Sequence, residues 1–275
     1  MKSIRDIFKI GKGPSSSHTM GPEAAAKEAM ASYPNADFFE VTLYGSLSKT
    51  GRGHGTDRAI ISTFGDIPSK VIFAEEDPED MRHPNTLDIR AFEHEQEIGK
   101  MRVQSIGGGD IVIEGRKIVT DEHEVYFENS FAEIRDFCTL RSIDLSEYVF
   151  ISEGEEIKEF LHDVWQKMKE SVERGLSKEG VLPGGLNVVR KAKLLYNQKL
   201  QTEHAEVLEC RKVSAYAYAV CEENADNGVI VTAPTCGSSG VVPSVLYYIQ
   251  EKRGLSDDEM VKALAVAGLF GKLAK

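Results

Sequence analysis

The sequence predicts a chain of two textures, an α+β first half and a mainly α second half, with the change near residue 150. Short alternating runs rich in β-branched and aromatic residues recur before that point, and long apolar stripes at helical spacing follow it. Strands mixed with a few helices on short loops make the first half an α+β domain.

The elements follow in order. Pro22–Ser32 reads as a helix with Pro22 well placed in its first turn. Phe38–Tyr44 alternates as a strand does, and Thr56–Thr63 reads as a helix. Lys70–Ala74, Met101–Ile106 and Ile111–Ile113 read as further strands, the last closed by a Glu114-Gly115 turn, and Ser130–Cys138 as a short helix. From Glu155 to Leu176 the residues Ile157, Phe160, Leu161, Val164, Trp165, Met168, Val172 and Leu176 form one helical stripe. A Pro/Gly loop at Leu182–Gly185 precedes a long helix from about Glu203 to Asn224. Val229–Val231 reads as a buried strand and Val245–Glu251 as a helix. Ser256-Asp257-Asp258-Glu259 is a capping box that starts a final helix. Ser152-Glu153-Gly154 is the expected hinge, giving domains 1–150 and 151–275.

Composition narrows the function. With 41% hydrophobic and 28% charged residues the chain is globular rather than disordered. A formal charge of −11 repels phosphate backbones and anionic lipid, arguing against nucleic acid or a membrane as partner. No apolar run approaches the roughly 20 residues of a membrane span, and Met1–Ile10 lacks a signal peptide's apolar core. The expected location is the cytoplasm. Cys138, Cys210, Cys221 and Cys236 contain no CxxC pair and read as reduced packing thiols. Cys210 and Cys221, about 16 Å apart along one straight helix, are too distant to ligate one cluster.

Four polar, glycine-bearing segments interrupt the regular elements. Gly11–Pro22 places Ser15, Ser16, Ser17, His18 and Thr19 just before a helix, where hydroxyls and free N–H groups can cradle an anion or simply cap the helix. Tyr44–Asp57 sets His54 between glycines, able to approach a ligand closely or merely exposed, with Asp57 positioned to orient it or to cap the next helix. Ser105–Asp110 offers unhindered N–H donors or a turn. Thr232–Pro243, with Thr235, Gly237 and Gly240, follows a strand and precedes a helix, an arrangement suited to a carboxylate.

Together and in this order, these segments resemble the iron–sulfur-dependent bacterial L-serine dehydratases (L-serine ammonia-lyases) of the single-chain form. The resemblance rests on Ile10-Gly11, Gly13–Thr19, Gly21-Pro22, Tyr44–Leu47, Thr50-Gly51, Gly53-His54, Thr56-Asp57, Ser105–Gly109, Gly180–Gly184, Glu222–Ala225, Val231–Thr235, Gly237, Gly240 and Pro243. It implies a first domain like the serine-binding regulatory domain of some phosphoglycerate dehydrogenases, then an all-α catalytic domain. It implies conversion of L-serine to pyruvate and ammonia in amino-acid degradation and gluconeogenesis, by a homodimer when full length. The implied cofactor is a [4Fe-4S] cluster whose open iron helps hydroxide leave while a base takes the α-proton. On this resemblance His54 and His18 are the catalytic candidates, Ser15, Ser16, Ser17 and Thr19 contact substrate, and Thr235, Gly237 and Gly240 hold the serine carboxylate.

The chain departs from the family in one respect: no cysteine matches a family cluster ligand, since the family's ligands lie after the stretch matching Leu269–Lys275. The sequence therefore reads as C-terminally incomplete, lacking metal ligands and inactive alone. Two alternatives stand beside it. One is a non-catalytic L-serine-binding regulatory module. The other is a pyridoxal-phosphate enzyme cradling phosphate at Gly107-Gly108-Gly109, for which no lysine stands out.

Overall fold

The computed structural model describes residues 1–116, 124–198 and 204–274. Contacts group the chain into two compact units, Lys12–Thr120 and Met1–Gly11 with Asp121–Lys275. The sequence-based boundary at 150 thus falls inside the second unit, because helices before it pack with the helices after it and the first residues of the chain join them.

In chain order the first elements are β1 (Ile10–Lys12), a wide turn at Ser16–Met20 and α1 (Gly21–Ser32). Then come β2 (Phe38–Leu43), α2 (Gly45–His54), α3 (Thr56–Phe64), β3 (Ser69–Phe73), β4 (Thr86–Glu93), β5 (Gln96–Gly107) and β6 (Asp110–Ile113). The α+β unit is built on a five-stranded sheet of order β3-β2-β4-β5-β6, in which only β2 and β3 run parallel. Strict alternation on β2 sends Phe39, Val41 and Leu43 into the core, where they meet Ala25, Ala29, Leu47, Ile60, Phe64, Leu87 and Ile89. Phe39 stacks on Phe64 with ring centroids 4.4 Å apart.

Two elements here differ from the sequence reading. The central strand β4 was masked by its outward charges, Asp88 and Arg90, although Leu87, Ile89 and Ala91 point inward at period two. Segment Gly45–His54 forms a helix despite its glycines, since Leu47 is fully buried and Ser48 Oγ donates to the Ala74 carbonyl. Gly51 is required by packing, as a Cβ there would lie 2.9 Å from Thr56 Oγ1.

The second unit contains α4 (Phe131–Arg141), α5 (Leu145–Glu153), α6 (Glu156–Ser177), α7 (Ala192–Asn197), α8 (Ala205–Ala225), β7 (Val229–Val231), α9 (Val241–Arg253) and α10 (Asp257–Ala274). The stripe on α6 is buried as its spacing requires, with Leu161, Val164, Trp165 and Met168 in one core with Ile4, Phe8, Tyr148, Leu264 and Leu269. Gly175 lets α6 pass close to α8: a Cβ would lie 2.2 Å from the Ala219 carbonyl oxygen. Helix α5, unread in the sequence, is started by a capping box of Asp144 and Glu147. The box at Ser256 and Glu259 closes as expected, each backbone N–H donating to the other's side chain. The expected helix start at Glu203 lies outside the described residues. Strand β7 pairs with β1, and Thr232 beyond it is bonded to Lys9 and Ile7. Among the described residues no helix is long and apolar enough to cross a membrane.

Candidate active site

The first two polar segments meet inside the α+β unit and bring two histidines face to face. Ser15 caps the wide turn by accepting the His18 backbone N–H at 3.1 Å. This places the imidazole of His18 4.6 Å, centroid to centroid, from that of His54 at the end of α2. Both rings are half-buried.

Each ring is held differently. His18 Nδ1 lies 3.0 Å from Ser17 Oγ and its Nε2 2.9 Å from Ser46 Oγ. Both partners are hydroxyls that can donate or accept, so neither tautomer is imposed. His54 Nδ1 lies 2.9 Å from the Thr50 carbonyl. A carbonyl only accepts, so Nδ1 carries the hydrogen and the neutral ring keeps its lone pair on Nε2. The orienting group is therefore the Thr50 carbonyl one helical turn back, and Asp57 sits in the first turn of α3.

The backbone beneath the pair is tied across the segments. Thr19, fully buried, donates its hydroxyl to the His54 carbonyl at 3.0 Å, and Thr56 donates to the His18 carbonyl at 2.5 Å. Each threonine fixes the opposite histidine. Thr19 thus ties the backbone of the two segments together beneath the rings. Ser16 contributes a carbonyl that accepts the Gly21 N–H. Ser46, Thr50 and Thr56 stand in the glycine-bearing stretch singled out in the sequence, yet only the fold shows that they hold the two rings.

Burial pushes the His18 pKa below the ordinary histidine value, and the facing His54 pushes it further, while the Ser46 contact offsets part of the effect. Two imidazoles this close disfavour a positive charge on His18, in the same direction as its burial.

The third segment packs against the start of α1 and turns the chain from β5 into β6. Gly107, Gly108 and Gly109 all have positive φ (102°, 62° and 85°) because they form the tight turn from β5 to β6. Ser105 is buried directly against Gly21, where any Cβ would come within 2.0 Å of its Oγ.

The fourth segment belongs to the helical unit. Thr235 Oγ1 lies 3.0 Å from Ser238 Oγ, which donates to the Ala233 carbonyl at 2.9 Å. Gly240, at the start of α9, packs so tightly on α8 that a Cβ would lie 2.8 Å from Cys221 Sγ and from the Ala217 carbonyl oxygen. Its smallness serves helix packing. At Gly237 a Cβ would be in ordinary contact with Thr235 Oγ1, at 3.8 Å.

Cys138 and Cys236 are buried, Cys210 and Cys221 lie on α8, and among the described residues no three His, Cys, Asp or Glu side chains converge to hold a metal ion. The described residues, all four cysteines among them, do not fit the implied [4Fe-4S] cluster. Burial raises the Cys236 thiol to about 11, the opposite of a thiolate ligand's requirement.

Comparison with known proteins gives one answer along the whole chain. Residues 43–275 match the serine dehydratase alpha chain family and residues 3–72 the serine dehydratase beta chain family. The chain is 35% identical to L-serine dehydratase 2 of Escherichia coli K12 and 33% identical to the same organism's L-serine dehydratase TdcG, each alignment covering 100% of this chain and 72% of the relative. It is 32% identical to the L-serine dehydratase of Streptomyces coelicolor, over 99% of this chain and 71% of that one. With the paired histidines on the ordered motifs and this agreement from end to end, the chain belongs to the bacterial L-serine dehydratase family.

Proposed function

We propose that this protein serves as an L-serine ammonia-lyase, and that its α+β unit supplies the imidazole pair that meets the substrate. The observation that carries the reading is the His18–His54 pair at 4.6 Å, framed by the hydroxyls of Ser15, Ser17 and Ser46. Eliminating water from serine requires a proton to leave Cα and another to reach the departing hydroxyl. A neutral His54, its Nδ1–H spent on Thr50, presents Nε2 as a proton acceptor. His18, kept neutral by burial and by its neighbour, is bracketed by two hydroxyls that can relay a proton in either direction. The aminoacrylate formed then tautomerises to an imine and hydrolyses to pyruvate and ammonia.

Ser15, Ser16 and Ser17 are proposed to contact the substrate, and Thr235 with Gly237 and the N-terminus of α9 to hold a carboxylate, which the positive end of that helix's dipole favours. The reading includes a cytoplasmic homodimer with an α+β serine-binding domain and a mainly α catalytic domain. Because the thiols of this chain do not fit a [4Fe-4S] cluster, its own contribution is binding, orientation and proton transfer.

Calorimetry with L-serine and D-serine on the wild type, on His18→Ala and on His54→Ala tests this. Heat with L-serine alone, lost in both variants, is expected. Absence of heat, or equal response to D-serine, contradicts the reading; binding indifferent to both histidines assigns the serine site to a non-catalytic module instead.

A further inference from the structure

A cavity of about 440 Å3 opens on the α+β unit away from the histidine pair, with Tyr33, Asp80, Lys100, Arg102, Glu114 and Arg116 among its lining residues. Three cations at one opening are notable in a chain of net charge −11. Arg102 is the anchor, its side chain only 14% exposed. Its Nε and Nη2 hold the buried Asp88 at 2.7 and 3.0 Å. Its remaining nitrogen, Nη1, is 2.7 Å from Asp80, a carboxylate 70% exposed to solvent. The two arms are unequal: the Asp88 arm is desolvated and bidentate, whereas the Asp80 arm is screened by water and easily exchanged.

Asp80 sits in the segment joining β3 to β4, and the same segment grips the start of α2. Asp77 Oδ1 accepts the Gly45 N–H at 2.6 Å, and the Pro84 carbonyl accepts the Ser46 N–H at 2.7 Å. Ser46 is the residue whose hydroxyl lies against His18 Nε2. The outer arm of Arg102 and the support of His18 therefore share one stretch of chain.

We propose that this cavity is an effector site for a small oxyanion, carboxylate or phosphate, which replaces Asp80 on Arg102 and so loosens the segment that holds Ser46 against His18. Asp80 acts as the resident anion that keeps the segment clamped while the site is empty of solute. Lys100 and Arg116 flank the anion; each already pairs with one carboxylate, Asp88 and Glu28, and each retains further N–H donors. The regulatory consequence rests on the serine-lyase reading, but the binding and its effect on His18 involve no catalysis, so the two can fail separately.

The test is titration of the whole chain with phosphate and, separately, with acetate, against chloride at matched ionic strength, read by calorimetry and by the His18 ring signal in NMR. Saturable binding of one oxyanion beyond the chloride effect is expected. Asp80→Asn, which removes the resident competitor, should tighten it about fivefold, and Arg116→Gln should weaken it about as much. The His18 signal should move as the site fills, and should stand displaced in Asp80→Asn before any anion is added. Failure of both anions to saturate, or affinity unchanged in both variants with native circular dichroism, overturns the site. A stationary His18 signal at saturation overturns the coupling.

Discussion

His18 Nε2 stands 2.9 Å from the Ser46 hydroxyl while the His54 ring beside it is anchored through Nδ1 to the Thr50 carbonyl, so one imidazole of the pair is free in tautomer and the other is fixed. The fixed ring offers a defined lone pair, and the free ring can exchange a proton through its hydroxyls without moving. Each further expectation depends on how tightly the surrounding fold keeps this asymmetry.

The first concerns pH. The His18 pKa is lowered in the folded chain, so between that value and the ordinary one, 6.5, the unfolded chain binds more protons than the folded one. Stability contributed by neutral His18 is therefore complete above pH 6.5 and is lost as pH falls through 6.5 toward the folded value. NMR titration should show the His18 midpoint below 6.5, and His54→Asn should raise it by removing the facing imidazole. An unchanged midpoint in that variant would show that the two rings do not interact.

The cross-ties under the rings make a second prediction. Thr56→Val leaves the half-buried His18 carbonyl without its donor and should cost about 1–2 kcal/mol in denaturant unfolding. Because the tie positions His18 rather than touching substrate, the variant should also shift the His18 ring signal, an effect that a mutation of comparable cost far from the pair should not produce.

Helix packing makes a third. At Gly175 an added Cβ meets backbone, the Ala219 carbonyl at 2.2 Å, which cannot swing aside as a side chain can. Gly175→Ala should destabilise the chain by about 2 kcal/mol or more through separation of α6 from α8. Unfolding curves that coincide with wild type would refute this crossing.

How far the sequence foretold this structure can be judged from particular residues. The α6 stripe, the Ser256 capping box and the alternation of β2 were legible because each answers to one local rule. Strand β4 was not, because Asp88 and Arg90 hid its inward residues, and what makes Asp88 tolerable there is a contact with Arg102 fourteen residues away. Helix α2 was not, because its propensity is poor and burial of Leu47 decides the matter. At the site, both histidines stood out by their surroundings, but the roles of Ser46 and Thr56 at His18 depend on separations of 28 and 38 residues along the chain that no local pattern carries, and the local Thr50–His54 contact exists only because the glycine-bearing stretch folds as a helix. The grouping of helices α4 and α5 with the later helices was not legible either, because both are weakly patterned and pack with partners far downstream.

Thiol chemistry makes a fourth prediction. With Cys236 buried and raised to about 11, and Cys210 exposed on α8, alkylation at pH 8 should label Cys210 early and Cys236 last. Peptide mapping over time gives the order. Early labelling of Cys236 would mean that the Thr235–Gly240 loop opens readily.

The central claim is that the His18–His54 pair is where L-serine is met, and its most direct measurement is the NMR spectrum of the two imidazoles during titration with L-serine. Both ring signals should shift together along one saturation curve, D-serine should leave them in place, and His54→Asn should abolish the response at His18. Saturation by L-serine, confirmed by calorimetry, with both ring signals unmoved would contradict the account.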